Sequence, residues 1–406
     1  MEENIIRRYS ILSSLAFVAS LALSLVATAA ISAEREVKIA GIGAKSTVMR
    51  SFGVNTEAVL KAAVDMVNST GGIKLADGNI GKIVLTFDDE RCNAEEGISL
   101  LRRIASSDAL VAVGPTCSNV AEPLFGILQK KVDNSGDSGL QIPVFTDTAI
   151  KGGLAKISEW AFRNTPSESM MYKTMFEWLK AEHPELKSLY GGVEEDFAHS
   201  RFTWYKVMKE RSAEAGYEVK GESKWLLNDT SFATQVREMK RANADVIAIS
   251  AHAFTTCGVL KEMKRQRVVP KLLVGLTSSS TNEIMKGCPA EAEGIVIPTS
   301  FAPVTDQART VAKLAEANGG SADLHSAAAW EIIIALKNVI ETNGVMAKPE
   351  TVAADRRKIR DGLASLKEMD GLIGMVQRTP DGEAIKPYVY VNAVNGNWNI
   401  LHTPIF

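Results

Sequence analysis

Val37-Lys38-Ile39-Ala40-Gly41-Ile42 is a short apolar run, and Thr56–Ser69 beyond it carries apolar residues at Ala58, Val59, Ala62, Ala63, Met66 and Val67. The first pattern suits a buried strand and the second has helical spacing. Gly71-Gly72 then stops the helix, since glycine enters left-handed backbone without steric cost. Working outward, the unit repeats: strand Lys82–Phe87, helix Glu95–Ser106, strand Leu110–Val113 and strand Pro143–Phe145. The rhythm restarts after Arg163, with helices Ser167–Ala181, Phe202–Ala215, Phe232–Ala242 and Cys257–Gln266. Between and after them lie strands Ser188–Gly191, Val219–Trp225, Asp245–Ser250 and Lys271–Val274. Alternating units of this length predict parallel sheets covered by helices on both faces, and two runs predict two lobes.

The last part differs. Helices are expected at Ala327–Thr342 and Ala353–Leu366, then strands at Gly374–Gln377 and Tyr388–Val394. Thr379-Pro380-Asp381-Gly382 between those strands predicts a hairpin. In open α/β sheets, ligands bind beyond the carboxyl ends of the strands. Residues 43–52, 114–119, 146–150, 192–200, 250–256 and 275–281 are therefore the segments to inspect.

The chain has 406 residues, enough for two domains, with 46 basic and 48 acidic side chains and a formal charge of −2. No basic stripe interleaves with aromatics, which argues against a nucleic-acid partner. Arg7 and Arg8 precede an apolar run from Ile11 to Val26, and small residues follow from Ala27 to Ala33. That succession predicts a cleavable secretory signal over 1–33, cut after Ala30 or Ala33, rather than a membrane anchor. No Cys follows the apolar region, so no lipid anchor is expected and the mature chain should be soluble and outside the cytoplasm. Export permits disulfides. Cys92, Cys117, Cys257 and Cys288 lack zinc-ligand spacing and allow three connectivities, of which pairing within successive halves is the most economical.

Catalytic chemistry finds no support. Gly41-Ile42-Gly43-Ala44-Lys45-Ser46 lacks the third glycine of a dinucleotide loop, and no phosphate loop, nucleophile elbow or zinc-protease motif occurs. The histidines at 183, 199, 252, 325 and 402 have no metal-ligand spacing, so neither metal nor cofactor is expected. Glu194-Glu195-Asp196 could suggest acid–base work but reads better as a solvated loop at a cleft mouth.

Three segments carry a resemblance. They are Ala62–Ile73 with Asp88-Asp89-Glu90-Arg91-Cys92; Val113-Gly114-Pro115-Thr116-Cys117-Ser118-Asn119 with Ile142-Pro143-Val144; and Phe162-Arg163-Asn164-Thr165 with Asp196-Phe197. Together they resemble the periplasmic leucine/isoleucine/valine-binding proteins of ABC importers. The resemblance implies an α/β type I periplasmic binding fold, two doubly wound parallel-sheet lobes joined by three crossovers near 163–165, 299–302 and 369–373. Lobe 1 would hold 34–163 and 302–369, and lobe 2 would hold 165–299 and 373–406. It also implies a non-enzymatic monomer that carries a small solute to an ABC permease and its ATPase subunits at the inner membrane. Cys92 and Cys117 stand where the family places its lobe-1 disulfide.

Carried over by position, Cys117-Ser118-Asn119 matches the segment that holds a ligand carboxylate. A strand running into a helix amino terminus offers free N–H donors and a positive dipole end, which suits an anion. Thr148-Ala149-Ile150 matches a second carboxylate-contacting segment, with Ile150 in place of a usual hydroxyl residue. Phe52 and Phe197 match the aromatic walls, and His252 follows its strand where the family often has Tyr. Thr277 occupies the position of the acid that pairs with a ligand ammonium. A buried ammonium without an anionic partner costs several kcal/mol, so an amino-acid cargo is disfavoured. Phe52, Phe197, His252, Phe301 and His325 instead suit an aromatic or planar carboxylate. Asp147, Glu194 or Glu195 could replace the missing acid and restore an amino acid or amide. A periplasmic sensor presenting its ligand to a receptor is the other alternative.

Overall fold

The computed structural model describes residues 34–404, so the expected signal at 1–33 lies outside the described residues. Two sheets dominate. The first comprises β1 (Glu34–Gly43), β2 (Ile73–Lys74), β3 (Ile80–Asp89), β4 (Val111–Val113), β5 (Val144–Thr146) and β6 (Ala161–Arg163). Its order is β2-β3-β1-β4-β5-β6, parallel except for β2. The second is built on β7 (Ser188–Glu194), β8 (Glu218–Trp225), β9 (Val246–Ser250), β10 (Leu272–Gly275) and β11 (Val296–Thr299). These run parallel in the order β11-β10-β9-β7-β8. Strand order reverses at β1 in one sheet and at β7 in the other, and those reversals open crevices at the strands' carboxyl ends.

Each sheet is covered on both faces, as its almost wholly buried central strands require. One face of the first sheet packs Val59, Val67 and Ile83 with Leu336 and Trp330 of helix Leu324–Thr342. Its other face packs Ile42, Leu101, Val120 and Trp160. The second sheet lies likewise between a cluster around Val259, Ile249 and Val391 and one around Phe176, Trp204 and Val274.

The carboxyl-terminal strands depart from expectation. β12 (Glu368–Gly371), β13 (Gly374–Arg378) and β14 (Ala384–Ile385) form a small antiparallel sheet of their own. The turn at 379–382 does reverse the chain, but it pairs β13 with β14. The expected partner, β15 (Val389–Val394), instead pairs antiparallel with β11 and with β16 (Asn397–His402). Pro387 cannot donate to a ladder, and the apolar face of β15 is buried only by joining the larger sheet.

The chain passes between the sheets three times, after β6, after β11 and before β15. Glu331 ties two of these passages together. Its carboxylate accepts from Asn164 Nδ2 at 2.9 Å, the Leu372 N–H at 2.9 Å and the Lys386 ammonium at 2.5 Å. Thr305 Oγ1 donates to the Leu372 carbonyl at 2.7 Å, which draws in the segment after β11.

Candidate functional site

Six strand ends, three from each lobe, converge on one cavity. On the first lobe, β4 leads into Gly114, whose positive φ of 117° and a Cβ that would fall 2.0 Å from the Ile42 carbonyl oxygen exclude any side chain. Helix Ser118–Gly126 starts four residues later, with Cys117 in extended backbone at its cap. The disulfide Cys92–Cys117 (S–S 2.01 Å) fixes that cap to the loop after β3. Helix Arg50–Ser69 also begins at the cavity, six residues ahead of the expected start. Gly53 and Asn55 are weak helix formers, but Gly53 lets the first turn seat against the Ala44 carbonyl, where a Cβ would come within 2.1 Å. Met49 and Phe52 thereby reach the cavity.

Hydroxyl directions decide what this wall offers. Thr116 Oγ1 accepts the Ala44 N–H at 3.0 Å, and Ser118 Oγ accepts the Lys151 N–H at 3.3 Å. Neither hydroxyl donates to another group among the described residues, so both protons remain available to the cavity. Thr148 differs: its hydroxyl donates to Asp147 at 2.8 Å, as does Thr56 at 2.5 Å. Burial pushes the Asp147 carboxyl up to about 6 despite those two donors. The Ala149 N–H is committed to Thr146 Oγ1 at 3.1 Å. Behind the helix terminus, Glu90 is completely buried and pushed up to about 7. Burial outweighs the nearby N–H groups of Cys117, Cys92 and Thr116.

The second lobe presents imidazoles backed by carboxylates. His252 caps helix Ala253–Gln266, and its Nδ1 lies 2.6 Å from Glu194 Oε2. Glu194 also accepts the His252 N–H at 3.0 Å, Ser200 Oγ at 3.0 Å and the Thr255 hydroxyl. His199 Nε2 lies 3.0 Å from Glu168, which accepts Thr203 Oγ1 at 2.5 Å and the Thr277 hydroxyl. Burial raises both carboxyls, but the facing imidazole and the converging donors outweigh it and hold each below the ordinary range. His325 enters from helix Leu324–Thr342, and burial first, then the charges of His199 and His252, holds it well below the usual histidine range. The Phe52 ring stands edge-on to His252 and His325, with centroids 6.0 and 5.3 Å apart, and Phe197 lies 4.5 Å from His252. A groove continues outward past Met49, Phe52 and His252.

Six of the sequence-predicted residues thus line one cavity: Phe52, Ser118, Thr148, Ile150, Phe197 and His252. The other five do not. Cys117 is buried in its disulfide. Asn119 spans the lobes, accepting the Ala198 N–H at 2.7 Å. Ala149 faces the protein interior, Thr277 is turned onto Glu168, and Phe301 packs in the core of the first lobe and borders a different groove. Of the candidate replacement acids, Asp147 and Glu194 are buried behind the walls, while Glu195 accepts the Tyr205 hydroxyl at 3.1 Å. Met49, Thr116, His199 and Ser278 complete the lining, together with His325, named from the sequence as a further aromatic candidate. All four of the others lie within the strand-end segments flagged above, the one usable signal for them. The second disulfide, Cys257–Cys288 (S–S 1.99 Å), joins two helices of the second lobe away from this cavity.

A cleft between two doubly wound lobes, walled by strand ends and crossed by three chain passages, defines a binding protein that holds a small molecule between its lobes. The chain belongs to the periplasmic binding protein family, whose match covers residues 36–397. Among solved structures it is similar to a leucine binding protein, LivK, of Thermotoga maritima, at 16% identity and TM-score 0.77 over 91% of this chain and 99% of that one. It is also similar to an ABC-transporter solute binding protein of R. palustris in complex with benzoate, at 15% identity and TM-score 0.74 over 91% and 96% of the two chains. A third is the solute binding protein of Rhodopseudomonas palustris BisB5 in complex with 3,4-dihydroxybenzoic acid (15% identity, TM-score 0.75, 91% and 97% covered). No helix among the described residues is long and apolar enough to cross a membrane.

Proposed function

We propose that this chain is the periplasmic, non-enzymatic solute receptor of an ABC importer and that it closes on a small organic carboxylate, aromatic in its favoured form. One observation carries the reading: Thr116 and Ser118 each take a backbone N–H, so their own protons are left for an acceptor in the cavity. Beside them stands the amino terminus of helix Ser118–Gly126, whose first N–H groups and dipole favour an anion. Phe52 and Phe197 supply apolar walls suited to a planar group. An ammonium lacks a counterpart, because no carboxylate lines the cavity and Thr277 is bonded to Glu168. That the benzoate- and dihydroxybenzoate-bound proteins share the fold is consistent with this cargo.

The lobes turn about the passages near 163–165, 299–302 and 369–373, with the Glu331 cluster at the pivot. The closed monomer then docks on a permease with its ATPase subunits. A thermal-shift screen against benzoates, short dicarboxylates, amides and amino acids tests the cargo. A ligand at a hundredfold excess over its dissociation constant stabilises by about 2.7 kcal/mol. Selective response to leucine or isoleucine sinks the carboxylate reading, and turnover of any hit overturns the non-enzymatic one.

A further inference from the structure

The His325 ring is 1% exposed, lines the cavity, and has one nitrogen, Nδ1, with no hydrogen-bond partner. A buried polar atom left unpaired is costly, so one on a side chain that lines a binding cavity marks a place for a ligand atom. Its other nitrogen ends a chain of hydrogen bonds. Glu168 faces His199 Nε2 at 3.0 Å, His199 Nδ1 faces Ser278 Oγ at 3.4 Å, and Ser278 Oγ faces His325 Nε2 at 2.9 Å. Resting on the carboxylate reading above, we infer that His325 Nδ1 receives a hydroxyl group of the cargo, making the substrate class a hydroxylated carboxylate.

The chain explains why a hydroxyl fits better than a charged group. The Glu168 carboxylate accepts, so His199 Nε2 carries a proton. If His199 Nδ1 bears none, Ser278 donates to it, His325 Nε2–H donates to Ser278, and His325 Nδ1 is left as an acceptor. If His199 Nδ1 bears a proton, every link reverses and His325 Nδ1–H becomes a donor. A hydroxyl can meet either polarity. An ammonium can only donate, and an ionised carboxylate can only accept. The opposite end of such a cargo falls to Thr116 and Ser118, whose protons suit its carboxylate.

Titration calorimetry of the protein with two matched pairs tests this: 4-hydroxybenzoate against benzoate, and 5-hydroxypentanoate against pentanoate. The wild type should favour the hydroxylated member by about tenfold. His325→Gln, whose amide can take the place of Nε2 on Ser278, should bring that ratio to near one whatever it does to the affinity for benzoate itself. His325→Asn, which keeps a polar atom near Nδ1, should retain part of the preference. Thermal melts establish that each variant is folded, and the wild-type ratio decides by itself if either is not. Equal affinities within both pairs in the wild type, or a ratio unchanged in His325→Gln, overturn the His325 contact and leave the carboxylate reading standing. A His325-dependent preference seen only in the aliphatic pair upholds the contact and sinks the aromatic cargo. Failure of all four acids to bind overturns both.

Discussion

The two walls of the cleft solve the same problem by different means. The first-lobe wall is built from neutral hydroxyls and peptide N–H groups, each oriented by a backbone neighbour, as Thr116 is by Ala44 and Ser118 by Lys151. The second-lobe wall is built from imidazoles held on carboxylates, His252 on Glu194 and His199 on Glu168, all four side chains buried. Neutral donors aimed by the backbone keep their hydrogen-bonding capacity for the cargo. The imidazole–carboxylate pairs satisfy one another first and present only the remaining ring atoms. On the carboxylate reading proposed above, the cargo's anion rests against the first lobe and its uncharged polar groups against the second.

The sharpest way to break this contrast is Glu194→Leu. It leaves three donors and a buried imidazole without their acceptor, and should destabilise the protein by about 3–5 kcal/mol in urea denaturation. The double variant Glu194→Leu with His252→Phe should recover much of that loss, since no charge is then stranded. A single variant no less stable than wild type would mean that the second wall is not held by its charge pairs.

Next in size is the pH response of the group behind the first wall. Glu90 titrates near 4.5 when unfolded and about 7 in the fold, so between those values the folded state holds a proton that the unfolded chain has released. Its contribution is fully present below pH 4.5 and lost as pH rises through 7. That amounts to roughly 2–3 kcal/mol. Denaturant melts at pH 5 and pH 8 should therefore show Glu90→Gln gaining on wild type at pH 8 only. Asp147, raised to about 6, adds a residual slope of the same sign in both proteins.

A smaller effect distinguishes hydroxyls within the first wall. Ser118→Ala and Thr116→Val should each weaken carboxylate binding about tenfold by calorimetry. Thr148→Val should cost affinity far less, because that proton already belongs to Asp147. Equal losses at all three would erase the distinction between free and committed hydroxyls. Smallest is Asn119→Ala, which removes the 2.7 Å contact to Ala198 between the lobes. It should weaken binding two- to fivefold, on the scale of one exposed hydrogen bond. Small-angle scattering should then show a larger open fraction without ligand.

The sheets were legible because their evidence is local. β1, β3, β9 and β10 fall within two or three residues of the expected runs, since apolar periodicity and flanking turns mark them directly. Helix Ser118–Gly126 carried no such mark: it is short, contains Pro123, and owes its start to a strand end and a disulfide. The site was half legible for the same reason. Phe52, Ser118, Phe197 and His252 stand beside motifs that can be placed by position. His199 and Ser278 lie tens of residues apart at two strand ends of the second lobe, and His325 reaches them from the first lobe only where the lobes meet. Thr277 was read as the substituted acid position. Its bond to Glu168, a residue distant in sequence, could not be read from spacing.

That bond bears on the speed of capture as well as on choice of cargo. With Glu168 and Glu194 both turned onto histidines and no Asp, Glu, Lys or Arg among the described residues that line it, the cavity offers no exposed side-chain charge to draw an ion from a distance. Long-range attraction is what makes an association rate fall as salt rises. Capture by this protein should instead proceed at nearly the same rate in dilute and concentrated salt, with the anion recognised only once it touches the hydroxyls of the first lobe.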